Sequence, residues 1–147
     1  MVNTLKKLDP KTLTIGGVKI LRGERKRVLL ESAALYDYTQ LTIPVEVIRG
    51  KTGGPVLFIS AAVHGDEING VEIIRKLLKK PFLKNLKGTL ILVPIVNVFG
   101  FNNKSRYLPD RRDLNRSFPG SRNGSLASRI AYIFMKEIVS KCTHGID

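Results

Sequence analysis

The 147-residue chain carries a single cysteine, Cys142, which excludes an internal disulfide and suits a reducing compartment. Cytoplasm is therefore the default location. No apolar run approaches the roughly 18 residues that mark a transmembrane helix. The opening "MVNTLKKLDP" has lysines but no apolar stretch behind them, which argues against a secretory signal. Internal repeats and low-complexity linkers are also missing. Acidic residues are scarce: 12 Asp and Glu face 25 Lys and Arg, a net charge of +13. A basic chain attracts polyanions by counterion release. Here, however, the basic residues are interleaved with apolar positions, over Lys6–Arg27, Arg75–Lys87 and Lys104–Arg122. No aromatic stacking pattern and no usual recognition motif accompanies them. Solvated faces account for most of this charge. A polyanion- or nucleic-acid-binding module is the alternative reading, and the less favoured one.

What remains is an ordinary globular composition, 43% hydrophobic and 25% charged, long enough for one domain with one core. Residues 1–12 read as a loose arm. "GVKILRGERKRVLLE" reads as two short strands around "RGER". In "LTIPVEVIRG", Leu41, Ile43, Val45 and Val47 alternate onto one face, the period of a half-buried strand. Pro44 lacks an N–H, which predicts a place near a sheet edge. "PVLFISAAV" is apolar on both faces, as a central parallel strand is. "EINGVEIIRKLLKK" follows, with Ile68, Val71, Ile74 and Leu78 at helical spacing and Pro81 closing the helix. "TLILVPIVN" is a second doubly apolar strand. Strand, helix and strand over residues 55–97 predict a right-handed crossover between parallel strands. A long Arg-, Asn-, Pro- and Gly-rich loop runs to about Asn123, and such loops are often functional. "SLASRIAYIFMKEIVSK" is an amphipathic helix with Ser125 as N-cap. The sequence then reads "CTHGID", where another buried strand is due. The expected class is α/β, with a mixed, mainly parallel central sheet that is truncated.

The stretch "AAVHGDEING" sets the functional question. In open α/β sheets, ligands gather beyond the carboxyl ends of the strands. His64 stands at that end of the first central strand, and Glu67 opens the following helix. One turn through Gly65 brings both side chains to a common point. Imidazole nitrogen and carboxylate oxygen both suit zinc, and a catalytic zinc takes three protein ligands plus water. Asp66 is available to support a ligand from behind. The plainer alternative is that His64 fills a turn and Glu67 favours a helix N-terminus.

The long loop carries "SRYLPDRRDLNRSFPG". Arg106, Arg111, Arg112 and Arg116 bracket Asp113 and Asn115. Arginine grips carboxylates through a planar fork, and an asparagine amide can donate to a second oxygen. Such a loop could reach the rim that holds His64. A solvated basic loop, or one that grips phosphate, fits the same composition.

Taken together, "HGDE" after "FISAAV" and then "RDLNRSFPG" resemble the succinylglutamate desuccinylase and aspartoacylase family, within the zinc carboxypeptidase-like superfamily. The resemblance runs from about Ile43 to the last residue. It implies zinc bound by His64 and Glu67. It implies a small carboxylate-bearing substrate held by Asn115 and Arg116. It also implies an upstream arginine that polarises the scissile carbonyl. The "RY" context gives that role to Arg106; the longer gap to Asn115 keeps Arg112 as a competitor. The family's third zinc ligand is a histidine in a "DLH" motif, which would fall just past Asp147, and its general-base glutamate lies further on. His144 precedes the motif and is taken as a loop histidine. The resemblance thus implies a zinc-dependent deacylase of N-acyl amino acid-like substrates. Residues 13–147 would be the N-terminal portion of its catalytic domain, inactive alone and prone to self-association through a truncated sheet edge.

Overall fold

The computed structural model describes residues 10–35 and 37–147. Residues 1–9 of the expected arm lie outside that range. The last residues of the arm are not loose. The buried Arg49 guanidinium donates to the carbonyls of Pro10 (2.6 Å) and Lys11 (3.2 Å). Thr12 then opens strand β1 (Thr12–Ile15), which pairs antiparallel with β2 (Val18–Leu21). The two-residue loop between them is Gly16-Gly17, at φ +53° and +77°. Positive φ at both positions is what a tight hairpin with the native twist requires, and glycine supplies it without strain.

The main sheet has five strands: β3 (Arg25–Ala34), β4 (Gln40–Arg49), β5 (Val56–Ser60), β6 (Thr89–Val93) and β7 (His144–Ile146), in the order β3-β4-β6-β5-β7. The sheet is mixed, as expected. β3–β4 and β4–β6 are antiparallel, while β6–β5 and β5–β7 are parallel. Strand β4 lies one strand in from the β3 edge, near a sheet edge as Pro44 predicts. Pro44 pairs with Leu29 of β3, and the register with β6 starts only at Glu46. The missing N–H therefore falls beyond the four residues that β6 covers and costs no bond on that side.

Two apolar clusters sandwich the sheet. On one face Ile43, Val45 and Val47 pack with the hairpin residues Leu13, Ile15 and Ile20. Helix α3 (Leu126–Glu137) completes that layer through Ala127, Ile130, Ala131 and Phe134. Ser125 caps it, its Oγ accepting from the Ser128 N–H. On the other face helix α1 (Asn69–Leu77) buries Ile74 against Ile48, Leu90 and Leu92. Ile68 falls outside that stripe: it precedes the first helical residue and is exposed. Cys142 packs against the first cluster, and burial pushes its thiol up to about 12, against the pull of Lys141. At such a value it is a packing group and no nucleophile.

The long loop after β6 is not structureless. It holds the short helix α2 (Val98–Asn102) and a 3-10 turn at Leu114–Ser117. His144 is also not in a loop. It opens β7 opposite Leu57, near the amino half of β5 and away from the rim where His64 stands. Among the described residues no helix is long and apolar enough to cross a membrane.

Candidate active site

Strand β5 delivers the chain to the carboxyl rim of the sheet, and the backbone there is tightly specified. The Val96 and Asn97 N–H groups donate to the carbonyls of Ala61 (3.1 Å) and Ala62 (2.9 Å), which ties this end to the segment after β6. Ala62 is buried and sits at φ +52°, a left-handed conformation that costs a non-glycine residue energy. It re-aims the chain just before His64. Gly65 then passes so close to α2 that an added Cβ would lie 2.0 Å from the Gly100 carbonyl carbon. The Glu67 N–H closes the turn on the His64 carbonyl at 3.2 Å.

This turn brings the two expected ligands together. His64 is buried, and its Nδ1 lies 2.9 Å from Glu67 Oε1. Its Nε2 lies 3.0 Å from Asp113 Oδ1. Asp113 caps the 3-10 turn, accepting the Asn115 N–H on Oδ1 at 2.9 Å. The Arg106 guanidinium spans both carboxylates, with Glu67 Oε1 at 3.3 Å and Asp113 Oδ2 at 3.4 Å. Burial works to raise the Asp113 carboxyl. The hydrogen bonds from His64 and the Asn115 amide, with the charges of His64 and Arg106, outweigh it and hold the group below its usual range.

The arrangement has a chemical consequence. A neutral imidazole has one N–H and one lone pair. Both ring nitrogens of His64 face carboxylate oxygens, so a neutral ring satisfies only one of them. If Nε2–H donates to Asp113, the Nδ1 lone pair confronts Glu67 at 2.9 Å. Two electron-rich atoms at that distance call for a cation between them: a proton or a metal ion. This is the donor chemistry zinc takes, and with Nε2–H on Asp113 the ring presents Nδ1 to the ion. Asp113 thus fills the supporting place that sequence reasoning gave to Asp66, which is exposed. Among the described residues no group of three or more His, Cys, Asp or Glu could hold a metal ion; Asp113 faces the opposite edge of the ring from Glu67. The converging donors present number two.

The remaining expected residues separate clearly. Asn115 and Arg116 follow Asp113 on the 3-10 turn at the same rim; Arg116 Nε is 4.0 Å from Asp113 Oδ2 and its side chain is largely in solvent. Arg112 turns away toward Asp110, at 3.9 Å, and lines a different cleft with Leu35, Pro109 and Arg129. An open cleft of about 510 Å³ adjoins Glu67, lined by Ser60, Ala62, Asp66, Ile68 and Asp147. In it Ser60 Oγ donates to Asp147 Oδ1 at 2.7 Å, which brings the end of β7 to the rim.

Residues 53–147 match the profile described as the succinylglutamate desuccinylase/aspartoacylase catalytic domain. The chain belongs to that family. One curated relative, the N-alpha-acetyl-L-2,4-diaminobutyric acid deacetylase of Halomonas elongata, is 35% identical over 98 residues, 66% of this chain and 28% of the relative. The succinylglutamate desuccinylase/aspartoacylase crystal structure from Rhodobacter sphaeroides is 26% identical, with a TM-score of 0.75 over 82% of this chain and 38% of that one. A metallo-carboxypeptidase from Pseudomonas aeruginosa, 18% identical with a TM-score of 0.61 over 82% of this chain and 34% of that one, shares the fold. The family chain described here therefore spans well under half the length of the relatives it matches. Its members carry the names of hydrolytic deacylases, and its architecture is carboxypeptidase-like.

Proposed function

We propose that this family chain forms the metal-binding rim and substrate-gripping loop of a zinc-dependent deacylase that cleaves N-acyl amino acid-like substrates. One observation carries the reading: His64 Nδ1 and Glu67 Oε1 meet at 2.9 Å, with the far ring nitrogen already committed to Asp113. His64 and Glu67 would hold the ion. Bound there, zinc would polarise a carbonyl and bring the pKa of its water to about 7. A catalytic zinc takes three protein ligands. The third ligand and the general base would come from the part of the relatives' length that this chain does not span.

Each other role falls to a residue of this chain. Asp113 holds the His64 ring in one orientation. Arg106 stands beside Glu67 and stabilises negative charge on the acyl oxygen, as preorganised donors do. Its guanidinium is only partly exposed and is already held by two carboxylates, so little reorganisation accompanies the reaction. Arg116, with a largely free guanidinium, and Asn115 grip the substrate carboxylate and fix the amide relative to Arg106. Arg112, aimed at Asp110, takes no part. The cytoplasm remains the proposed location.

The test titrates Zn²⁺ into the chain while the His64 ring signals are followed by NMR, and repeats this with His64→Ala and Glu67→Gln. Zinc should perturb the His64 signals first, and either substitution should remove that response. Zinc binding that leaves His64 untouched, or survives both changes, would refute the assignment. Release of acyl groups from a panel of N-acyl amino acids, by the chain extended past Asp147, tests the substrate class.

A further inference from the structure

The site joins two segments far apart in sequence, the turn that presents His64 and Glu67 and the loop that presents Arg106. One residue touches both. Asn97 follows β6 and is completely buried. Its N–H donates to the Ala62 carbonyl at 2.9 Å, two residues before His64. Its Oδ1 accepts the Gly100 N–H at 2.8 Å, capping α2. Its Nδ2 donates to the Arg106 carbonyl at 3.3 Å. Its own carbonyl accepts the Phe101 N–H at 2.9 Å. The amide orientation is unambiguous, because one partner is a donor and the other an acceptor. Gly100 is confined beneath it: an added Cβ there would lie 2.6 Å from both Asn97 Nδ2 and the Ser105 carbonyl oxygen. The Ser105 N–H in turn donates to the Gly100 carbonyl at 2.8 Å, one residue before Arg106.

We propose that Asn97 is the positioning residue that sets the distance between the metal-binding turn and Arg106. This rests on the reading of Arg106 above and adds to it the residue that places the guanidinium. Asn97 lies too deep to meet a substrate and acts only through the backbone on either side. All four of its hydrogen-bonding groups are committed, to Ala62, Gly100, Phe101 and Arg106. Residues far from an Asn–carbonyl bond would not feel its loss; Arg106 would, because its backbone is anchored by it. Misplacing a catalytic group by about 1 Å can cost on the order of 100-fold.

The substitution Asn97→Ser separates the roles. A serine keeps a hydroxyl acceptor for the α2 cap but is too short to reach the Arg106 carbonyl. Two readouts are needed. The first is the Arg106 guanidinium Nη–H signals by ¹⁵N NMR, the groups that meet Glu67 and Asp113, assigned by their disappearance in Arg106→Ala. In the parent chain they should be held at positions set by Glu67 and Asp113; in Asn97→Ser they should move to those of a free guanidinium, while α3 signals stay in place. The second is affinity for N-acyl amino acids, which should fall by about 10-fold or more in Asn97→Ser. It should not fall further when Asn97→Ser is added to Arg106→Ala. An unmoved Arg106 signal, or losses that add in the double variant, overturns the proposal. Should Asn97→Ser fail to fold, Asn97→Asp has the same shape, keeps the Gly100 acceptor and is read by the same two outcomes. N-acyl amino acids that neither bind to nor are cleaved by the chain extended past Asp147 would refute the substrate reading alone, since the Arg106 signal still decides the role of Asn97.

Discussion

Two charged clusters in this molecule look alike in composition and differ in how their lone pairs are met. Against the β1–β2 hairpin, Glu137 Oε2 accepts the Gly16 N–H at 3.0 Å and the Lys141 ammonium at 2.6 Å, and Lys141 also donates to the Thr14 carbonyl. The one carboxylate there is paired with an ammonium, charge against charge. At the rim, His64 stands between Glu67 and Asp113, and a neutral ring has a proton for only one of them. The first cluster is complete as it stands and ties α3 to the hairpin. With a neutral ring the second has room for one more positive charge, a proton or a metal ion, at a defined place. A satisfied polar cluster holds a fold together; an unsatisfied one in a cleft points to a ligand.

Breaking the rim's backbone should give the largest effect. In Gly65→Ala the new methyl would lie 2.0 Å from the Gly100 carbonyl carbon and 2.2 Å from the Phe101 nitrogen. Both are backbone atoms and neither can rotate away. Overpacking of that kind should destabilise by about 3–5 kcal/mol. Urea unfolding measures this, and the zinc response of His64 should vanish in whatever folded population remains. An unfolding midpoint close to that of the parent would show that α2 yields easily, and that the close approach does not fix the site.

Leu114→Ala should come next. Leu114 is fully buried directly after Asp113, so it pins the loop whose carboxylate holds His64. The truncation should cost about 2–4 kcal/mol by transfer and cavity terms. It should also loosen Asp113, so zinc affinity should fall along with stability. If affinity is unchanged, the His64–Asp113 contact is held from elsewhere.

Asp113→Asn sharpens the contrast between the clusters with little change of volume. An amide oxygen still accepts from Nε2–H and the Asn115 N–H, but the charge that favours a metal-bearing imidazole is gone. Loss of such a supporting carboxylate typically costs about 10–100-fold in metal affinity. Competition with a chelator of known affinity measures it, with unfolding as a control. Full retention of affinity would make Asp113 a turn cap and nothing more. In the parent chain, two donors should hold zinc only loosely. Tight, stoichiometric metal in these 147 residues would require a third donor that the described cluster lacks.

How much of this was legible in advance depended on the range of the contact. The buried strands, the helix between them and the Ser125 cap are local patterns, and the structure has them. His64 and Glu67 are three residues apart, so one turn sufficed to bring them together. Asp113 is 49 residues from His64, and nothing local says that the loop folds back onto the ring. Choosing Arg106 over Arg112 had the same obstacle: both are arginines of one loop, and only its closure decides which faces Glu67. Pro44 marked a strand near the edge, and β4 is second in the sheet; which of its residues β6 covers is decided by register, which no composition shows. Two features carried unused local signals. Gly16-Gly17 between "TLTI" and "VKIL" is a two-residue hairpin signature. Asn97 between a buried strand and "VFGF" has the position of a helix cap.

The complete cluster should give the smallest response, and one with a definite pH signature. Burial works to raise the Glu137 carboxyl, but Lys141, the Gly16 N–H and the charge of Lys136 bring it below the ordinary glutamate range. A carboxylate depressed in the folded state stabilises fully above its unfolded pKa and loses that contribution as pH falls through the folded one. Glu137→Gln should therefore cost roughly 0.5–1 kcal/mol near neutral pH, as befits a partly exposed pair. The difference from the parent should shrink as pH falls below the usual glutamate range, where the parent's carboxyl takes up its proton. Unfolding midpoints of both proteins across pH test it. Zinc should leave that difference unchanged at every pH, because Glu137 is already paired with Lys141. A zinc-dependent shift at Glu137 would erase the distinction between a cluster that closes a fold and one that awaits a ligand.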